Sequence, residues 1–336
     1  MSDNTNPGFH PGRRKQLRRL SELGMLAWLV SSGAAEAGNQ TAPALKELRI
    51  GFQKSSVNFT LLKQRKSLDS RLPGTKVSWF EFTAGPQMLE ALSVGSVDLA
   101  MTGEPPPIFA QAAGSSLVYI GAEPAKPETS AILVKPDSSL KQLADLKGKR
   151  VAFQKGSSAH YHVLRAIQAA GLQWTDFTPV YLAPADARAA FERGSVDAWA
   201  IWDPYWAAFE TTSQSRVLAT GQGLISNLTY YLAARQLAEK YPQVIQVLFE
   251  ELTRSERSIV SDRKQAVAIV AQSTGLDQAS IEKFLQRRPS SPVVYITPQM
   301  IAEQQKVADQ FYQQKLLPKP VVIKDAVWLP EALKKV

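Results

Sequence analysis

Two short sequences recur in the same order along this chain, and that repeat constrains the fold more than any other feature. Phe52-Gln53-Lys54 recurs as Phe153-Gln154-Lys155, and Gly95-Ser96-Val97-Asp98 recurs as Gly194-Ser195-Val196-Asp197. The distance from the first motif to the second is nearly the same in both copies. The period is far too long for a solenoid repeat. The repeat therefore predicts two related α/β lobes that face each other across a cleft.

The second copy of the first motif has the composition of an anion-binding turn. It follows a strand-like run, 149–153, and continues through Gly156-Ser157-Ser158 into a helix-like segment, 162–170. A helix start leaves backbone N–H groups without helical partners, and the helix dipole adds a partial positive charge there. Gly156 permits close backbone approach, and the two serines can donate hydrogen bonds or cap the helix. An ordinary capped strand-to-helix turn is the alternative interpretation.

A second pair of turns joins an acidic residue to a proline. Glu104-Pro105 follows one strand-like segment and Asp203-Pro204 follows another, each soon after a Gly-Ser-Val-Asp motif. In open α/β sheets, ligands bind beyond the carboxyl ends of the strands. All four turns fall at such ends, so we expect them to meet in one cleft.

The remaining pattern predicts strands that alternate with helices and therefore mainly parallel sheets. A single helix is predicted over 57–72. From Leu237 onward the chain is mainly helical, and no further sheet is predicted there, so we expect these helices to pack on the first lobe. Their predicted ranges are 244–261, 264–275, 278–286 and 298–313.

The first residues have the pattern of an export signal. A basic segment, 13–19, precedes a short apolar run, 23–30, and Ala35-Glu36-Ala37 matches a signal-peptidase site. This order predicts a signal peptide over 1–37 and a lead-in over 38–47. The Arg13-Arg14 pair leaves a twin-arginine route open beside the general one, and a disordered basic tail is the alternative.

Composition excludes several classes of protein. The chain has no cysteine, which removes disulfides, thiolate nucleophiles and iron–sulfur clusters. Its formal net charge is +9, without a dense basic and aromatic run, so a nucleic-acid partner is not expected. Beyond the signal region only His160 and His162 remain, and residues two apart do not share a helix face. We therefore expect no metal site, no cofactor and no catalytic residue.

Four longer stretches carry a family resemblance. FQKGSSAH (153–160), GPQMLEAL (85–92), GEPPPIFAQAAG (103–114) and AIWDPYWAA (200–208) resemble the aliphatic sulfonate-binding proteins, the soluble receptors of ABC importers within the nitrate, sulfonate and taurine group. The similarity extends from about Leu48 to Leu333.

The resemblance implies a periplasmic-binding-protein type II fold of the α/β class, with two chain crossings between lobes and the C-terminal helices on lobe 1. The expected division places the first part of lobe 1 at 48–130 and lobe 2 at 131–224. The chain then returns to lobe 1 over 225–336. The resemblance also implies a periplasmic monomer that traps a small sulfonate by lobe closure and delivers it to a membrane permease with a separate ATPase for sulfur uptake.

A sulfonate is a permanent anion that needs hydrogen-bond donors rather than acid–base groups. The predicted ligand-binding residues share a place in the four turns: Gln53, Ser55, Ser56, Thr102, Gly103, Glu104, Gly156, Ser157, Ser158, His160, Trp202 and Asp203. Trp202 would be an apolar wall or plain core, and His160 a donor or a packed helix-start residue. Glu104 and Asp203 would bind an amino group of the ligand or cap helices.

Other functions stay open. Taurine, a sulfate ester or nitrate could be the ligand. An enzyme on the same fold is the first rival, although the related thiamine-pyrimidine synthases use a cysteine-rich motif that is absent here. The effector domain of a regulator is the second rival, and it would require a DNA-binding unit for which the residues before the first strand are too few.

Overall fold

The computed structural model describes residues 45–333, so the predicted signal peptide and most of the lead-in lie outside the described residues. The described part contains two five-stranded sheets. In chain order the strands are β1 (Glu47–Phe52), β2 (Lys76–Glu81), β3 (Leu99–Gly103), β4 (Leu117–Glu123), β5 (Ser130–Val134), β6 (Arg150–Phe153), β7 (Thr178–Tyr181), β8 (Ala198–Trp202), β9 (Arg216–Thr220) and β10 (Thr229–Ala234).

The two sheets have matching topologies. The first has the order β2-β1-β3-β10-β4 and the second β7-β6-β8-β5-β9. In the first sheet, β10 runs antiparallel to both of its neighbours, and β5 does so in the second. Each antiparallel strand directly follows a passage of the chain from one sheet to the other, so the chain crosses twice. The predicted two-lobed fold with two crossings is confirmed. Below, each sheet with its packed helices is called the first or second lobe.

Helices cover the faces of both sheets. They are α1 (Val57–Arg65), α2 (Ser67–Arg71), α3 (Gly85–Ser93), α4 (Pro105–Ala112), α5 (Ser158–Ala169), α6 (Pro184–Glu192), α7 (Tyr205–Thr212), α8 (Arg235–Lys240), α9 (Pro242–Ser261), α10 (Arg263–Thr274), α11 (Gln278–Arg287) and α12 (Pro298–Gln313). The single helix predicted over 57–72 is wrong, because Lys66 has a left-handed φ of 50° and divides it into α1 and α2.

The repeated Gly-Ser-Val-Asp motif has a structural role that is the same in both lobes. Asp98 accepts hydrogen bonds from the backbone N–H and the guanidinium of Arg49 at 2.7–2.9 Å. Asp197 accepts the corresponding bonds from Arg150 at 2.7–3.1 Å. The first pair links β1 to the loop before its neighbour β3, and the second links β6 to the loop before its neighbour β8. Both pairs lie at the sheet end opposite the predicted cleft. The second motif therefore maintains the scaffold and does not form the site.

The C-terminal helices pack more widely than on the first lobe alone. Helices α9 and α10 pack on α1, and α12 packs against α4, as the prediction expects. Helix α11, in contrast, also packs on α7 of the second lobe. Ala207 of α7 and Phe284 of α11 belong to the same apolar cluster. Helix α11 therefore joins the two lobes. In residues 45–333 no helix has both the length and the apolar character needed to span a membrane.

Candidate functional site

A cavity of about 50 Å³ lies where the carboxyl ends of the strands of both lobes meet. Such a volume suits a small solute and is well below that of sites for large organic ligands. It is lined by Gln53, Ser55, Gly85, Met101, Thr102, Gly103, Pro106, Lys126, Thr129, Ser157, Ser158, Trp202, Asp203, Asn227, Thr229, Phe284 and Arg288. Of the twelve predicted site residues, the structure brings eight together here: Gln53, Ser55, Thr102, Gly103, Ser157, Ser158, Trp202 and Asp203.

Five helices begin at this cavity. Lining residues lie at or next to the starts of α1, α3, α4, α5 and α7. Helix α4 begins with three prolines, 105–107, which have no N–H, so it contributes only its dipole. At the other four starts, the first N–H groups have no partner within the helix, and each start carries part of a positive charge. Because helices from both lobes contribute, their partial positive charges converge on the cavity without an unpaired cation. This arrangement is suited to a small anion.

Hydroxyl groups on opposite sides of the cavity are available to a ligand. The side chains of Ser55 and Ser158 form no hydrogen bond within the described part of the chain. Ser157, in contrast, donates its hydroxyl to the carbonyl of Gln154 at 2.7 Å. Gln53 donates its side-chain amide to the carbonyl of Met101 at 3.3 Å, a weak bond. Ser55 from the first lobe and Ser158 from the second can therefore both donate to a ligand.

The two lobes are in close contact across the cavity. A Cβ at Gly103, the end of β3, would lie 1.9 Å from the hydroxyl of Ser158 at the start of α5. The Tyr205 hydroxyl of α7 also donates to the carbonyl of Thr83 at 3.1 Å. The structure therefore represents a closed arrangement that leaves little room for a side chain at position 103.

The two chain crossings form one side of the cavity. The N–H of Lys126 donates to the carbonyl of Ser226 at 3.0 Å. Asn227, with a left-handed φ of 51°, donates its amide to the Lys126 carbonyl at 3.2 Å and to the Thr129 hydroxyl at 3.0 Å. A ligand in the cavity would thus contact both chain crossings.

A buried network balances the two cations that line the cavity. Lys126 Nζ lies 2.6 Å from Glu123 Oε2, and Arg288 Nη2 lies 2.7 Å from Glu256 Oε2 and 3.9 Å from Glu123 Oε1. Burial alone would raise the pKa of Glu123, but the charges of Lys126 and Arg288 outweigh it and lower the pKa. Two cations and two carboxylates therefore give this wall no net charge.

Three predicted site residues lie just outside the cavity lining and support the turns. Ser56 accepts a bond from the N–H of Gln53 at 3.0 Å and donates to the Met101 sulfur at 2.6 Å. Gly156 has a φ of 74° and donates its N–H to Nδ1 of His160 at 3.1 Å. The His160 ring stacks on Phe153 with centroids 5.1 Å apart. Of the two alternatives for His160, the structure shows the packed one.

Glu104 is also outside the cavity lining. It is 2% exposed, and burial raises its pKa to about 8, opposed by bonds from the backbone N–H groups of Leu228 and Asn227. Its side chain forms no capping bond to α4. Neither alternative for Glu104, an amino-group contact in the cavity or a helix cap, fits this position.

Trp202 and Asp203 each combine features of the two alternatives predicted for them. Trp202 lines the cavity and belongs to the core cluster of the second lobe, so it is both wall and core. Asp203 lines the cavity while its Oδ1 accepts a bond from the N–H of Ala207 in the first turn of α7 at 2.9 Å. Asp203 therefore caps α7 from the cavity wall.

Sequence reasoning missed about half of the lining. The missed residues come from the start of α3, from β3, from α4, from the crossings, from β10 and from the end of α11: Gly85, Met101, Pro106, Lys126, Thr129, Asn227, Thr229, Phe284 and Arg288. The adjacent Arg287-Arg288 pair at the end of a predicted helix was a possible signal, although such pairs are usually solvated. Among residues 45–333, no group of three or more His, Cys, Asp or Glu side chains is arranged to hold a metal ion.

Comparison with known proteins places this geometry in a family. Residues 74–262 match the family model described as NMT1/THI5 like. An aliphatic sulfonates-binding protein of Escherichia coli (strain K12) is 47% identical over 317 residues, which cover 94% of this chain and 98% of that protein.

Two solved structures are similar over most of the chain. The alkanesulfonate-binding protein SsuA from Xanthomonas axonopodis pv. citri, bound to MOPS, has a TM-score of 0.83 and 46% identity, covering 85% of this chain and 99% of that one. The periplasmic aliphatic sulphonate binding protein SsuA from Escherichia coli has a TM-score of 0.79 and 49% identity, covering 85% of this chain and 92% of that one. All three relatives are named as binding proteins. Identity of this extent, over nearly the whole of each relative, shows that the chain belongs to the aliphatic sulfonate-binding proteins of the NMT1/THI5-like family.

Proposed function

We propose that this protein is a receptor that binds an aliphatic sulfonate in the cavity between its two lobes. The observation that carries the proposal is that five helices begin at one small cavity. The two cations that line this cavity, Lys126 and Arg288, are already paired with carboxylates. Such a wall offers N–H donors from four of the helix starts and O–H donors from Ser55 and Ser158. A permanent monoanion with three acceptor oxygens fits it.

The ligand lies, in this proposal, with its sulfonate between Ser55 and Ser158. The Trp202 side chain offers apolar surface for the first carbons of the alkyl chain, and Phe284 adds to it from α11. Pockets of this kind combine apolar lining with a few convergent polar groups. The small volume favours short chains.

We further propose that the protein acts as a periplasmic monomer after removal of residues 1–37, and that it delivers the sulfonate to an ABC permease and its ATPase. Membership in the family supports this role. Stimulation of the permease's ATPase by the loaded receptor, and not by the receptor alone, is the expected result in reconstituted vesicles.

The binding proposal is tested by thermal unfolding and calorimetric titration with ethanesulfonate, longer alkanesulfonates, taurine, nitrate and sulfate. A ligand that binds only the folded state stabilises it by about 2.7 kcal/mol at 100 times its Kd. We expect alkanesulfonates to raise the melting temperature and nitrate to have no effect. S158A is expected to weaken ethanesulfonate binding about tenfold, since hydrogen bonds to charged groups are each worth about 1.5–3 kcal/mol.

The matched control is S261A, at the end of α9, where the hydroxyl bonds only to a carbonyl of its own helix. It should bind as the unchanged protein does. Absence of any response to every sulfonate would contradict the proposed function, and equal losses in S158A and S261A would contradict the proposed position of the ligand.

A further inference from the structure

Arg287, the last residue of α11, reaches across to the second lobe. Its Nη1 lies 3.1 Å from Oδ1 and 3.3 Å from Oδ2 of Asp203. Its Nη2 pairs with Glu210 of α7, and its guanidinium stacks 3.4 Å from the ring centroid of Trp206. The Arg287 side chain is 19% exposed and that of Asp203 is 0% exposed. Two carboxylates and one aromatic face therefore hold this arginine in a half-buried position.

The partner of Arg287 has a special place in the cavity. Among the described residues that line it, Asp203 is the only one with a carboxylate. Both of its oxygens accept bonds from Arg287, and Oδ1 also accepts the N–H of Ala207. Burial raises the pKa of Asp203 to about 7, and the charge of Arg287 is the strongest opposing influence. The carboxylate is thus present at the cavity wall but already occupied.

The pairing of Asp203 with Arg287 affects how the cavity can bind ligands that carry an amino group. An ammonium group buried next to a sulfonate needs an anionic or acceptor partner, since an unpaired buried charge is strongly unfavourable. Asp203 is the natural partner by position, yet both of its oxygens already accept bonds from Arg287. A methyl group at the same place requires no such partner.

Resting on the proposed function, we propose that Arg287 is a specificity-determining residue: by occupying Asp203 it makes the cavity select alkanesulfonates over aminoalkanesulfonates. Arg287 acts through Asp203 and does not contact the ligand itself. Removal of its guanidinium also removes the strongest influence that lowers the pKa of Asp203, so the ammonium group of a ligand would replace Arg287 as the cation that keeps this carboxyl ionised. The sulfonate end of the cavity is left unchanged.

The test compares two ligands of nearly equal shape, taurine and propane-1-sulfonate, by calorimetric titration at pH 8. The measured quantity is the ratio of their Kd values. In R287M, whose side chain still covers Trp206, this ratio should move at least about tenfold towards taurine. The double variant R287M/D203N should lose that gain, because no carboxylate remains. A ratio in R287M within about twofold of the unchanged protein overturns the inference.

The matched control is R263M. Arg263 pairs with Glu282 of α11 at 2.9 Å, outside the cavity, so the ratio should not change. D203N alone tests the same idea even if R287M does not fold. It alters the affinity for both ligands, and we expect their ratio to stay within about threefold because taurine gains nothing from Asp203 while Arg287 is present. A selective loss of taurine by tenfold or more in D203N overturns the inference.

The proposed function and the proposed role of Arg287 can be contradicted separately. If the unchanged protein binds neither ligand, the proposed function is wrong. If it binds propane-1-sulfonate and only the ratios behave otherwise than described, the function stands and the role of Arg287 is wrong.

Discussion

The two lobes have the same sheet order and the same arginine–aspartate pair at the far end of the sheet, yet they differ at the cavity. Arg49–Asp98 and Arg150–Asp197 have nearly equal geometry, with Nη2–Oδ1 distances of 2.7 and 2.9 Å. The repeat is thus retained where it stabilises the scaffold. Differences concentrate at the strand ends that face the ligand.

Three corresponding positions show what differs. Ser55 in the first turn corresponds to Gly156 in the second, Phe59 of α1 to His160 of α5, and Gly103 after β3 to Trp202 after β8. The first lobe contributes a hydroxyl and a position without a side chain, and the second contributes a left-handed glycine and the largest side chain. A symmetric scaffold therefore forms an asymmetric cavity, as a ligand with one anionic and one apolar end requires.

The largest expected effect concerns the histidines, which the first lobe replaces by Phe59 and Leu61. Burial lowers the pKa of His160 to about 3 and that of His162 to about 4, from 6.5 in the unfolded chain. The unfolded state then binds more protons below pH 6.5, so each histidine should lower the free energy of unfolding by about 2 kcal/mol between pH 7 and pH 5.

The variant H160N/H162Q retains the hydrogen-bonding groups but does not titrate. As the pH falls from 7 to 5, its free energy of unfolding should increase by about 4 kcal/mol relative to that of the unchanged protein. Urea unfolding at the two pH values measures this difference. The difference between proteins is the proper measure, since Glu104 and Asp203, whose pKa values are raised, shift the total stability in the opposite direction. Parallel pH profiles for the two proteins would contradict the assignment.

A smaller effect is expected where Gly103 faces the second lobe. In G103A the new Cβ meets the Ser158 hydroxyl, and opening of the cleft relieves the contact. We expect ligand affinity to fall at least about tenfold, or about 1.4 kcal/mol, with little change in the melting temperature of the free protein. Titration and small-angle scattering with ligand measure the two consequences.

G103A/S158A provides the control for that contact. Removal of the hydroxyl leaves the Ser158 Cβ 3.3 Å from the new methyl group, so ligand-induced compaction should return in part. Unchanged affinity in G103A would mean that the ligand binds without the lobe contact seen here.

The smallest expected effect is a difference in stability between substitutions in the two Phe-Gln-Lys turns. G156A places a side chain at a φ of 74°, where its Cβ would meet neighbours only at 3.7 Å, so the cost is the backbone strain of about 1–2 kcal/mol. S55A, at the corresponding position, has no such strain and should change the free energy of unfolding by less than about 0.5 kcal/mol. Urea unfolding measures both, and a loss in G156A no larger than that in S55A would contradict the strain assigned to position 156.

Much of the fold follows from local patterns in the sequence. The predicted helix over 298–313 agrees with the structure, and that over 278–286 ends one residue early. The strand before each Phe-Gln-Lys motif is present in both lobes. Hydrophobic periodicity and turn residues act over a few positions, so a single sequence reveals them. The left-handed backbone at Lys66 could not be predicted, because lysine has no particular preference for a positive φ.

The sequence by itself determined that two α/β lobes meet at their turns, and it placed eight of twelve predicted residues at the cavity. Only the tertiary structure decided that Lys126, Asn227 and Arg288 join them, and that Arg287 occupies Asp203. Arg287 and Asp203 are 84 positions apart. Contacts of that range depend on how whole helices pack between the lobes, and no local pattern of residues encodes that packing.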